Sequence, residues 1–123
     1  MDKNKPVIWL PEPARKDYNA AETFLELLFK AKKARRWAKE LMRGDITEYA
    51  AKDILRASGT LISEIQAFDW TKQQKEIESG TPLSPILIVR QDTGRHLIIA
   101  DGFHRMCALF ATDQEIRVPC KIV

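Results

Sequence analysis

Apolar positions change their rhythm along the chain. Phe24, Leu27 and Leu28 recur at helical spacing with Leu25 close by, and Ala34, Trp37, Ala38, Leu41 and Met42 continue the period until Gly44. Charged residues interrupt this stripe at Lys30–Lys33, which predicts two helices with a break there, the first capped by Asn19. Before them, Pro6-Val7-Ile8-Trp9-Leu10-Pro11-Glu12-Pro13 holds three prolines and reads as an extended arm with Trp9 packed on the surface. Ile46–Ala51 reads as a strand followed by Asp53-Ile54-Leu55-Arg56, although a helix over Thr47–Arg56 is nearly as good on propensity. Ala57-Ser58-Gly59 marks a turn. Leu61, Ile62, Ile65 and Phe68 anchor a loop, and a short helix covers Thr71–Glu78, capped by Asp69 or Thr71 and stopped at Gly80.

The period then shortens. Pro85-Ile86-Leu87-Ile88-Val89 is a bounded run of mostly branched apolar residues, as a buried strand requires. Asp92-Thr93-Gly94 is a turn, His96–Ala100 the returning strand of a hairpin, Phe103–Ala111 a helix and Val118–Val123 a closing strand. These elements predict an α+β protein folded as one domain over residues 1–123. The arm and a helical extension occupy 1–45. The core occupies 46–123, with a small mixed sheet against the Phe103 helix and the N-terminal helices over one face.

Composition agrees and adds limits. The 123 residues are 45% apolar and 30% charged, a globular balance with material for a core that needs no metal or disulfide staple. No apolar run could span a bilayer and no secretory leader is apparent, so a cytoplasmic setting without a membrane partner is expected. Cys107 and Cys120 form no CxxC pair, and only His96 and His104 could join them as ligands, so structural zinc is not expected. Both cysteines stand in apolar contexts and read as buried, reduced thiols. Replacing Cys107 by Ser should then cost stability rather than a specific activity.

The net charge of +3 hides an asymmetry: 13 basic against 9 acidic residues in 1–60, and 7 against 8 in 61–123. Most of the excess lies in Lys30, Lys32, Lys33, Arg35, Arg36, Lys39 and Arg43. The plain reading is a solvated helix face. The functional one is a noncatalytic interaction module that meets phosphates, nucleic acid included, or another acidic surface.

Chemistry concentrates at Ile98-Ile99-Ala100-Asp101-Gly102-Phe103-His104-Arg105, a strand, a glycine turn and a helix start. A helix N-terminus leaves its first amides without intrahelical partners and carries partial positive charge. Gly102 would let an anion approach the backbone, His104 and Arg105 would add donors, and arginine can fork onto two oxygens. The expectation is a phosphate cradle. Against it, Asp101 reads equally as a helix cap, His104 as a satisfied buried side chain and Arg105 as a surface charge.

Asp101-Gly102-Phe103-His104-Arg105, then Ala108 and Val118-Pro119-Cys120-Lys121-Ile122-Val123, resemble the ParB/sulfiredoxin superfamily, and the likeness extends back to residue 46. It implies that superfamily's small mixed sheet. It also implies a nucleotide held at Gly102, His104 and Arg105, with Arg56 and Lys72 matching residues that reach the nucleotide in sulfiredoxins. The departures limit what carries over. Phe103 stands where sulfiredoxin has its catalytic cysteine, so sulfinic-acid reduction is not expected. ParB's helix-turn-helix domain and dimerisation tail have no counterpart in this chain, so centromere binding is not expected. Superfamily members with an Asp-Gly-x-His-Arg turn that act as small-molecule phosphotransferases make a phosphotransferase or nucleotide hydrolase the catalytic version of the reading. Asp101 would then be the candidate base, with Asp53 and Asp69 as alternatives, or would bind Mg²⁺ beside the nucleotide.

Overall fold

The computed structural model describes residues 6–90 and 96–123. The expected turn at Asp92-Thr93-Gly94 lies outside the described residues. The fold is α+β. Helices α1 (Arg15–Leu28) and α2 (Ala31–Arg43) lead into β1 (Thr47–Ala50) and then α3 (Ala51–Ala57), α4 (Ile62–Ala67) and α5 (Thr71–Ser79). The remaining elements are β2 (Ile86–Val89), β3 (Ile98–Asp101), α6 (Phe103–Thr112) and β4 (Arg117–Ile122). The sheet order is β1-β4-β2-β3, with β2 and β4 parallel and the outer pairs antiparallel.

All four residues of β2 are buried, because the sheet is covered on both faces. Strand alternation sends Ile86 and Ile88 to one side, where they meet Ile99, Val118 and Cys120 under α3, α5 and α6. Leu87, Val89 and Ala100 point the other way, onto Ala21 and Leu25 of α1 and Ala34, Trp37 and Leu41 of α2. The N-terminal helices therefore form one of three layers, with the sheet as the middle one.

Several expectations are corrected. Asn19 does not cap α1; the helix begins four residues earlier, behind Pro13, and Asn19 lies exposed within it. Its start is fixed by tertiary contacts: the Ala14 amide donates to Ser84 Oγ at 2.9 Å, and Asp17 in the first turn is buried. The expected loop at Leu61–Phe68 contains helix α4, whose single buried residue, Ile65, is too little for a helical period to show. The Trp70 indole donates to the Ile65 carbonyl and fastens it. The proline arm does join a ladder, if only at one bridge: Leu10 N–H donates to Leu83 O and Leu83 N–H to Ile8 O. The helix and strand readings of Thr47–Arg56 both apply, because β1 passes directly into α3. The α3 amides of Ala51 and Lys52 donate to the carbonyls of Ile116 and Gln114. The break between α1 and α2 falls at Phe29–Lys30, and Gly80 ends α5 in the left-handed conformation.

Lys121 is the largest fully buried side chain. It points from β4 into the α1–α2 layer, where its Nζ donates to the Met42 carbonyl at 3.3 Å and lies 5.5 Å from the Tyr18 ring centroid. The carbonyl end of α2 is the negative pole of that helix and receives the ammonium there.

Candidate functional site

Strand β3 ends at Asp101, Gly102 turns the chain at φ +105°, and α6 starts at Phe103. The first bond of the helix ladder runs from the Met106 amide to the Gly102 carbonyl, so the amides of Phe103, His104 and Arg105 precede it. The N-cap position of this helix is Gly102, not Asp101. Asp101 Oδ2 instead accepts from Arg105 Nη2 at 2.8 Å.

Arg105 departs furthest from expectation. Its guanidinium does not fork outward. It folds back over Gly102 and lies between Asp101 and Asp17, with Nη1 3.6 Å from Asp17 Oδ2. The side chains of all three are less than a fifth exposed. Two carboxyl groups thus surround one guanidinium. Burial pushes the Asp101 carboxyl above its ordinary range; Arg105 opposes the rise and Asp17 adds to it. Asp17 Oδ2 and Arg105 Nε are buried without a hydrogen-bond partner among the described residues.

Gly102 is also required for a different reason from the one expected. A Cβ there would come within 2.5 Å of Ile86 Cδ1 and 2.7 Å of Arg105 Nη2. The space above the glycine is filled by this protein's own side chains and is not open to an anion.

Solvent reaches the other side of the turn. A cleft of about 1010 Å³ belongs to the α1–α2 corner, but one of about 710 Å³ opens at the start of α6. Asp101, Gly102, Phe103 and His104 line it together with Ser58, Thr60 and His96, and Phe24 and Phe68 add aromatic surface. His104 is exposed, not a satisfied core histidine, and its ring stands edge-on to Phe68 and Phe103 at centroid distances of 5.6 and 5.9 Å. Asp69 lies nearby; the Thr71 backbone amide, then the Thr71 side chain, and more weakly His104, hold its carboxyl below the usual range.

No protein-family model, curated protein or solved structure matches this chain. The resemblance to the ParB/sulfiredoxin superfamily therefore rests on the quoted residues alone.

The remaining sequence candidates are dispersed. Arg56 is exposed on α3 and lines a neighbouring depression of about 550 Å³, which shares Thr60 and His96 with the α6 cleft. Lys72 is exposed on α5 and lines neither depression. Asp53 faces a separate hollow with Tyr49 and Arg90. Of the three carboxylates considered as a base, only Asp101 lines the α6 cleft, and it is held by Arg105. Cys107 and Cys120 are free and buried, and burial pushes both thiols up to about 11. Neither is a nucleophile at neutral pH.

Sequence reasoning missed Asp17, Ser58, Thr60, Phe24 and Phe68. An acidic residue in a first helical turn is so common that Asp17 gave no signal of a partner 88 positions away. Among the described residues no group of three or more His, Cys, Asp or Glu is placed to hold a metal ion, and no helix is long and apolar enough to cross a membrane.

Proposed function

We propose that this protein binds a phosphate-bearing small molecule, with nucleotides the class that fits, in the cleft at the start of α6. The observation that carries the reading is the make-up of that cleft. It brings the first residues of α6 and the exposed His104 imidazole together with Ser58 and Thr60, and Phe24 and Phe68 share the lining. The amides of Phe103 and His104 and the His104 ring would receive phosphate oxygens, and Phe24 and Phe68 would flank a base or another flat apolar group. Arg105 takes a supporting part in this reading: it holds the turn by pairing with Asp101 and Asp17. The cleft then offers little net positive charge, so a nucleotide would bind with its own Mg²⁺, which neutralises phosphate oxygens. With Asp101 committed to Arg105, the reading is of a binding protein and not of a phosphotransferase or hydrolase.

A thermal-shift series with inorganic phosphate, AMP, ATP and GTP, each with and without Mg²⁺, tests it. Ligand at about a hundredfold excess over Kd adds about 2.7 kcal/mol to apparent stability, a rise of several degrees. The expected result is a rise with a nucleotide that largely disappears in His104→Ala. That residue is exposed, so the variant should fold normally. No shift with any of the four compounds would overturn the reading.

A further inference from the structure

The α1–α2 corner has features that the fold does not need. Helix α1 buries Ala21 and Leu25 against the sheet, but its last turn leaves Leu27 82% and Leu28 53% exposed. Phe29 follows in the break between the helices. Its ring meets Trp37 edge-on with centroids 4.7 Å apart, and the Lys33 ammonium lies 5.3 Å from the Phe29 ring centroid and 4.8 Å from that of Trp37. The buried Trp37 ring thus braces Phe29 and Lys33 from beneath. Phe29 and Lys33 border a depression of about 1010 Å³. Leu27, Leu28 and Phe29 line it together with Lys30, Lys32, Lys33 and Arg36, and among the described residues no carboxylate lines it. From Leu27 through Arg36 the chain has five basic residues and no acidic one.

We infer that this corner is a docking site for an acidic segment of another protein that places a large apolar side chain in the depression and carboxylates on its rim. Charge complementarity fixes the sign of the partner. The apolar half of the site fixes its class. A nucleic acid would satisfy the lysines but has no aliphatic side chain to cover Leu27 and Leu28. A bilayer would take up the exposed Leu27 and Leu28, but it has no side chain to fill the hollow they border. A polypeptide with alternating acidic and apolar residues meets both halves at once, with an apolar anchor inside and charges around it. The site is separate from the α6 cleft and shares no lining residue with it.

The test is fluorescence anisotropy of the full chain with a labelled synthetic peptide, rich in Glu and carrying Leu and Phe at i, i+3, i+4 and i+7. Three comparators are used: the same peptide with its apolar residues changed to Ser, vesicles of phosphatidylserine and phosphatidylcholine, and polyuridylate. Saturable binding of the amphipathic peptide is expected. It should weaken about tenfold in Leu27→Ser, by loss of a buried leucine contact. It should also weaken in Lys32→Glu, with melting temperatures unchanged and with His104→Ala binding like the parent. Three results would overturn the inference: no saturable binding, equal binding of the Ser-substituted peptide, or tighter binding to the vesicles or to polyuridylate.

Discussion

The β3–α6 turn and the α1–α2 corner both hold the cations that a charge count would offer to an anion, and the fold treats them in opposite ways. At the turn one arginine meets two carboxylates contributed by a strand end and by a helix 88 positions earlier, and the cluster is almost wholly out of water. At the corner the basic side chains are largely in solvent, and an ion pair there, Arg36 with Glu40 at 3.9 Å, joins neighbours on one exposed helix face. An exposed pair of this kind contributes little. A buried cation must be paired, whereas an exposed one is hydrated and remains available to a partner. Availability of charge thus follows burial, and the residue with the best motif around it is the one already taken.

Three variants would break or sharpen that contrast. The largest effect is expected for Arg105→Ala, which leaves Asp17 and Asp101 buried side by side without their cation. Loss of one partner from such a cluster costs about 3–5 kcal/mol, read as a lower urea midpoint with an unchanged slope. A loss below about 1 kcal/mol would place Arg105 with the surface charges of the corner. Next is Gly102→Ala. It adds a Cβ against Ile86 and Arg105 at positive φ, for a loss of about 1–3 kcal/mol by thermal or urea unfolding. A neutral outcome would mean that Arg105 can move off the glycine, leaving the turn open to an anion after all. The smallest effect belongs to the double change Lys32→Glu with Arg36→Glu, which should alter stability by no more than about 0.5 kcal/mol. A larger loss would show that the corner's charges hold the helical hairpin together, and the contrast would vanish.

Legibility followed the range of the interactions. The β2–β3 hairpin, α5 with its glycine stop and the start of α6 were visible because a run of branched residues or a glycine acts over a few positions. Helix α4 was not visible, because its order comes from Ile65 packing and the Trp70 indole rather than from a periodic face. The true start of α1 was hidden for the same reason: Ser84 and Arg105 anchor it from far along the chain. At the candidate site, Gly102 and His104 were correctly placed beside the opening of α6. The inward turn of Arg105 required Asp17, and Phe24 of α1 and Phe68 just after α4 reached the cleft from segments that no local pattern links.

By itself the amino-acid sequence determined the α+β class, most element positions, the glycine turn before α6 and the placing of basic charge on α2, since each depends on backbone preference or on spacing within one element. Tertiary structure alone decided which charges face each other. It buried Lys121 beneath the end of α2, enclosed Arg105 between two carboxylates and left Leu27 and its basic neighbours in solvent. Desolvation and pairing act between groups adjacent in space whatever their distance along the chain.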